Sequence, residues 1–351
     1  MVLKAQWHRI AGAAIPRSSH TLSVISRRGY IFGGEIVPRE PVDNAMHVVA
    51  LPFSTSYPKY SQLDARPDAG TEVPQARVGH SAAVIDRKIF VFGGRGGADM
   101  QPLEENGRLW VYDTRVDAWS FLDPVPGPVP SSRSYHTSLA IDKPATVFIH
   151  AGCPRSGRLN DLWAFDVASR TWKELPEAPG KPRGGTSLGI SKDRIVYRFG
   201  GFNGQAEEGR QIDYLQLSLV EEARIAAKGS WDSLVFADED TKRPGNRSVA
   251  GMHAVTSGDG REYLIAFLGE RDPSSQGHAG AGKFWSDVWS FPLPVTAESK
   301  WEEVVVAEGA DGVPGERGWF SSCMSDDGEI VLWGGLDGMN QRLDNGWVLK
   351  L

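Results

Sequence analysis

The chemistry-bearing residues of this chain cluster in one stretch, Glu270-Arg271-Asp272-Pro273-Ser274-Ser275-Gln276-Gly277-His278. Glu270 and Asp272 are two apart, a spacing that turns both carboxylates to one side of an extended strand. His278 follows across a segment able to fold back. One imidazole with carboxylate oxygens and open positions suits ferrous iron or another divalent first-row cation. The competing expectation is a structural loop: Asp272-Pro273-Ser274-Ser275 makes a turn, Glu270 pairs with an arginine, and His278 hydrogen-bonds backbone. A second set is cationic, and guanidinium groups grip sulfate or carboxylate through a rigid fork. Arg77, Arg133, Arg247 and Arg17, with Glu35 and Arg95, are therefore expected to line a site for an anionic ligand. Alternatively these arginines are framework, held by backbone carbonyls and acids.

The elements that must position these residues are visible as a repeat. An apolar run ends in a glycine or glycine pair six times: Tyr30-Ile31-Phe32-Gly33-Gly34, Phe90-Val91-Phe92-Gly93-Gly94, Phe148-Ile149-His150-Ala151-Gly152, Tyr197-Arg198-Phe199-Gly200-Gly201, Ile265-Ala266-Phe267-Leu268-Gly269 and Val331-Leu332-Trp333-Gly334-Gly335. The second glycines are 60, 58, 49, 68 and 66 residues apart. An arginine precedes each run: Arg17, Arg77, Arg133, Arg183, Arg247 and Arg317. In the first three units a histidine follows it by three, His20, His80 and His136, read as structural because no metal-ligand spacing joins them. A second apolar segment and then a tryptophan (Trp119, Trp172, Trp231, Trp301), with Tyr60 as the weaker counterpart in the first unit, close each unit but the last.

This pattern resembles the kelch repeat, whose units are four-stranded blades of a β-propeller. The resemblance implies an all-β chain: one six-bladed kelch β-propeller over residues 1–351, with blades near 17–63, 77–122, 133–175, 183–235, 247–304 and 317–351. The last unit lacks its closing strand. Gln6-Trp7-His8-Arg9-Ile10 before Pro16-Arg17 matches Thr171-Trp172-Lys173-Glu174-Leu175 before Pro182-Arg183, so residues 5–10 are expected to complete the sixth blade and close the ring. One stretch, Val220 to Lys228, has helical character.

In an up-and-down blade the start of the first strand and the end of the second share a face. The arginines and the positions after the glycines, Glu35, Arg95, Cys153, Phe202, Glu270 and Leu336, are thus expected at one mouth of the channel. The glycine-to-aromatic connection is longest in the fifth unit, 20 residues from Gly269 to Trp289. Long loops on a rigid scaffold are where function is usually carried. Trp285 and Trp319 are placed near the mouth by sequence, as apolar wall or as packing.

Composition narrows the function classes. The 351 residues include 40 Gly, 22 Pro and 12 Trp, with a net charge of −6, which argues against nucleic acid. No apolar run reaches membrane-spanning length and no leader is visible. With only Cys153 and Cys323, a disulfide framework is excluded, so a cytoplasmic location is expected.

A narrower resemblance lies in the fifth unit. Gly269-Glu270 through Asp272-Pro273 to His278, then Gly280-Ala281-Gly282-Lys283-Phe284, looks like the corresponding loop of the plant specifier proteins, of nitrile-specifier and thiocyanate-forming types. That family converts sulfated glucosinolate aglucones with ferrous iron, through Glu-x-x-x-Asp-x-x-x-His. Glu270 and His278 match its first and last positions, and the middle position is Ser274, with Asp272 the nearest acid. The resemblance implies Fe(II) at Glu270, Asp272 and His278, and an anionic small molecule held by Arg77, Arg133 and Arg247. The second expectation, from a different class, is a non-catalytic kelch scaffold capturing acidic peptide segments with the same mouth arginines. Galactose-oxidase-like copper chemistry finds no matching residues.

Overall fold

The computed structural model describes residues 2–52, 59–68, 70–220, 224–237, 240–277 and 280–351. Runs rich in Val, Ile, Phe, Tyr and Trp, bounded by Gly, Pro, Asn and Asp, become short antiparallel strands. Six sheets of four principal strands stand around a channel. The first three are Thr21–Ile25, Arg28–Phe32, Met46–Ala50 and Tyr60–Leu63; Ser81–Ile85, Lys88–Phe92, Leu109–Asp113 and Ala118–Leu122; and Thr137–Asp142, Ala145–Gly152, Leu159–Asp166 and Thr171–Leu175. The fourth blade is Ser187–Ile190, Ile195–Phe199, Gln211–Val220 and Asp232–Val235, and the fifth is Gly251–Thr256, Glu262–Phe267, Val288–Leu293 and Glu302–Glu303. In the sixth, Ser321–Met324, Ile330–Trp333 and Gly346–Lys350 receive Lys4–Ile10 as the outer antiparallel strand, with Trp7 opposite Leu349. The chain is an all-β, six-bladed propeller closed by its N-terminal strand. Val305–Ala307 adds a further strand, parallel to Lys4–Ile10.

The helical expectation for Val220 to Lys228 is overturned. Val220 ends a ten-residue strand, and Arg224–Ala227 returns antiparallel to it, pairing Leu217 with Ala227 and Val220 with Arg224. Ile225 and Leu217 are both buried against blade-three residues, so tertiary burial on an edge outweighs the local helix propensity of the Glu and Ala residues.

The repeated marks have distinct packing roles. Closing tryptophans wedge between blades: Trp119 lies 4.8 Å from Phe32, Trp172 5.6 Å from Phe92, Trp301 5.2 Å from Phe199, and Trp7 6.0 Å from Phe267, each on the preceding blade. Such aromatic pairs add about 0.5–1.5 kcal/mol each beyond the area they bury. The glycines bind each blade to the next. The second glycine's N–H donates to the carbonyl of the following blade's arginine in all six cases: Gly34 to Arg77, Gly94 to Arg133, Gly152 to Arg183, Gly201 to Arg247, Gly269 to Arg317 and Gly335 to Arg17, at 2.8–3.0 Å. At Gly34 φ is +90°, and a Cβ there would stand 2.7 Å from the Ser18 carbonyl oxygen. Only glycine meets both demands without strain.

Candidate functional site

Immediately after each second glycine, one residue pairs with the residue that follows the repeat arginine: Ser18 with Glu35, Val78 with Arg95, Ser134 with Cys153, Gly184 with Phe202, Ser248 with Glu270, and Gly318 with Leu336. These six bridges fix Glu35, Arg95, Cys153, Phe202, Glu270 and Leu336 around one mouth. All six line a single cavity of about 480 Å³, within the usual span for small-molecule sites. Trp319 and Tyr135 complete its floor, their rings edge to face at 5.3 Å. Below lies the channel, lined by His20, His80 and His136. Burial holds His20 and His136 down to about 3, so they are neutral packing groups at physiological pH.

The expectation that Arg17, Arg77, Arg133 and Arg247 face the ligand is corrected by their placement. None lines the cavity, and Arg77, Arg133 and Arg247 are 0% exposed. Each donates from Nη1 to the carbonyl just before its own blade's second glycine: Arg17 to Gly33, Arg77 to Gly93, Arg133 to Ala151, Arg247 to Leu268, at 2.8–3.0 Å. Each also grips a carboxylate: Asp43, Glu105, Asp161 and Asp287, respectively, at 2.6–2.8 Å. A guanidinium sealed by its own blade cannot turn to the channel without breaking a buried ion pair. Glu35 does line the cavity, but its carboxylate accepts from Arg342 Nη2 at 3.1 Å and from the Arg39 N–H at 2.7 Å.

The cationic face of the cavity is built by other arginines. Arg95 keeps its place, its Nε donating to Ser134 Oγ at 2.6 Å with the guanidinium over Tyr135. Arg158 stacks on Phe202 at 4.9 Å from the ring centroid, with its Nε unpartnered. Among the described residues neither has a carboxylate within ion-pair distance. Arg155, exposed, stands on the same wall. Sequence reading passed over Arg155, Arg158 and Tyr135 because loop length drew it to blade five. The available signal was that Arg158 has no counterpart in the repeat.

The cavity is also lined by the carboxyl of Glu270, and a second buried carboxyl, Glu207, lies outside the lining. Glu270 is 6% exposed, and burial pushes its carboxyl up to about 7. Glu207, on the neighbouring blade-four connection, is 5% exposed; burial and then the Glu270 charge push it up to about 8, against the Ser248 hydroxyl. Glu207 too escaped the sequence reading.

In the blade-five loop two of the expected metal ligands, Glu270 and Asp272, part ways. Glu270–Asp272 pairs with Lys283–Phe284, but the register shifts between Glu270 and Asp272. That irregularity breaks the two-residue alternation. Glu270 turns inward, while Asp272 is exposed, 3.5 Å from Lys283 Nζ. His278 lies outside the described residues. Among the described residues no three His, Cys, Asp or Glu side chains converge as a metal cluster. Ser274 does line the cavity, and Trp319 also does; Trp285 packs behind it, over Arg247.

With this geometry in place, comparison with known proteins becomes informative. Residues 19–223 match the KLHDC2/KLHL20/DRC7 Kelch-repeats domain. The chain belongs to the kelch-repeat family. It is 27% identical over 366 residues to the N-(sulfonatooxy)prop-2-enimidothioate sulfolyase of Thlaspi arvense, spanning 97% of this kelch chain and 96% of that protein. It is 30% identical over 201 residues to Kelch domain-containing protein 3 of Homo sapiens, over 55% of this chain and half of that protein's length. A solved structure titled "Structure of YjhT" superposes with a TM-score of 0.66 at 14% identity, covering 95% of this chain and 94% of that one; it speaks for the propeller fold. No helix among the described residues is long and apolar enough to cross a membrane.

Proposed function

We propose that this kelch propeller binds a small organic anion in the mouth cavity and acts on it as a specifier-like lyase. The observation that carries the reading is the contrast between two kinds of arginine. Arg17, Arg77, Arg133 and Arg247 are consumed by their blades, whereas Arg95 and Arg158 face the cavity with no carboxylate partner among the described residues. Free guanidiniums over aromatic rings, beside Leu336 and Phe202, match an anion with an organic body. The end-to-end similarity to a sulfolyase supports sulfate as the anionic group. In such an elimination the bond to the sulfate oxygen breaks with its electron pair leaving on sulfate. Arg95 and Arg158 would bind that group and stabilise the charge it gains.

The test is sulfate release from a sulfonatooxy imidothioate by the wild-type protein, alongside Arg95→Gln and Arg158→Gln. Sulfate release dependent on both arginines supports the reading, and a wild-type rate equal to the spontaneous rate rejects it. The same cationic wall supports a second reading, an acidic peptide segment in this cavity without catalysis. Binding of acidic peptides without any lyase activity would select it.

A further inference from the structure

Arg342 lines the mouth cavity with its side chain 5% exposed, and it is held unlike the framework arginines. Arg77, Arg133 and Arg247 grip their acids through two contacts each, at 2.6–3.0 Å, and donate Nε to the carbonyl two residues before. Arg342 meets Glu35 Oε1 through Nη2 alone, at 3.1 Å, and gives Nη1 to Asn340. Its Nε is sealed from solvent with no hydrogen-bond partner among the described residues. The edge formed by Nε and Nη2, which takes an oxyanion side-on, is therefore half used. Glu35 is enclosed too, at 8% exposed, and its other oxygen accepts the Arg39 N–H at 2.7 Å. Backbone bridges fix both residues: Ser18 pairs with Glu35 in blade one, and Leu336 with Arg342 in blade six.

This pair sets the charge of the mouth. Among the described residues the lining carries Arg95, Arg155, Arg158 and Arg342 against Glu35 and Glu270. Glu35 stands one position from Arg95 in the ring of residues that follow the glycines. In an enclosed site of low dielectric a carboxylate acts on an incoming anion far more strongly than in water, and in proportion to the anion's own charge. The penalty on a dianion is thus twice that on a monoanion in the same place.

We propose that Glu35, neutralising Arg342 from within the wall, makes the mouth cavity a site for a singly charged organic sulfate in preference to doubly charged inorganic sulfate. The inference rests on the reading of this cavity as an anion site and names the charge class it takes. Heterolysis of the sulfate ester turns the first kind of anion into the second. Arg95 and Arg158 meet the departing group, while Arg342 is withheld from it, so the product is held less tightly than four free arginines would hold it.

The experiment is calorimetric titration of the full-length protein with methyl sulfate and with inorganic sulfate, in wild type and in Glu35→Gln. The substitution is expected to tighten methyl sulfate by about tenfold and inorganic sulfate by about a hundredfold, its square, because Coulomb energy is linear in ligand charge and affinity is exponential in energy. Equal factors for the two anions, or unchanged affinities, overturn the proposal and leave the anion site standing. A wild-type protein that binds neither anion removes the site and the proposal together. Should Glu35→Gln fail to fold, Arg342→Gln replaces it, since it leaves Glu35 uncompensated at the mouth. That variant is expected to weaken inorganic sulfate by the square of its effect on methyl sulfate, and equal factors there also overturn the proposal. A purely structural clasp between blades one and six would shift the melting temperature without moving this ratio.

Discussion

The Gly335 N–H donates to the Arg17 carbonyl at 2.8 Å, joining the last blade to the first by the same bond that joins every other neighbouring pair. The ring is therefore closed twice, by this bond and by Lys4–Ile10 seated on Gly346–Lys350. Removal of residues 2–10 exposes the edge of Gly346–Lys350 and strips Trp7 from Phe267. The truncated chain is expected to lose its cooperative melt, and a transition unchanged from the full chain rejects this role. Trp7→Ala alone is expected to cost about 3–5 kcal/mol in denaturant unfolding.

Arg133 and Asp161 are bound by two hydrogen bonds of 2.6 and 2.7 Å, and Trp163 Nε1 donates to the same carboxylate at 2.9 Å. Arg133→Met leaves the half-buried Asp161 carboxylate without its cation, with an expected loss of about 1–3 kcal/mol. Sulfate affinity of the folded fraction should stay at the wild-type value. A variant of normal stability with impaired sulfate binding would return Arg133 to the ligand site.

Much of this architecture was legible because it repeats. Glycines, arginines and closing tryptophans recur at related spacings, and the glycines and arginines make the same backbone contact in all six blades. The six positions after the glycines were placed correctly at the mouth by strand geometry alone. What the repeat could not show was direction: Arg77 and Arg95 both precede or follow the same strands, yet one is swallowed by Glu105 and the other faces the cavity. The acid that holds the arginine stands 28 residues on in blades two and three but 26 in blade one and 40 in blade five, so the spacing follows the connection length rather than the repeat. The blade-five loop failed for a different reason. A single register shift between Glu270 and Asp272 reverses which way a carboxylate points, and alternation rules presume its absence.

Arg158 makes the converse prediction to Arg133. Its guanidinium rests on Phe202 and against Gly204, with no ion pair among the described residues to lose. Arg158→Gln is expected to keep the wild-type melting temperature and to weaken sulfate binding by about 1.5–3 kcal/mol, the range for a charged hydrogen bond. Calorimetric titration with sulfate and a thermal melt decide it together. Equal sulfate affinity in both proteins removes Arg158 from the site.

The carboxyl pair gives stability a pH dependence of definite sign. Glu207 titrates near 8 in the folded chain against an ordinary 4.5, and Glu270 near 7. Between these limits the unfolded chain has released protons that the folded chain retains, so stability falls as pH rises through the folded values. Below neutrality the buried histidines oppose this trend: His20 and His136 near 3 and His253 near 4 are neutral when folded, while the unfolded chain takes up protons below 6.5. Burial raises the Cys153 thiol, which adds a further loss only toward pH 9, where an ordinary thiol ionises. The carboxyls are thus isolated between about pH 7 and pH 8.5. The melting temperature of wild type is expected to fall across this window and that of Glu207→Gln to fall less steeply, since glutamine keeps the shape without the proton and only Glu270 still titrates. Parallel curves for the two proteins would show that Glu207 does not carry its buried proton through neutrality.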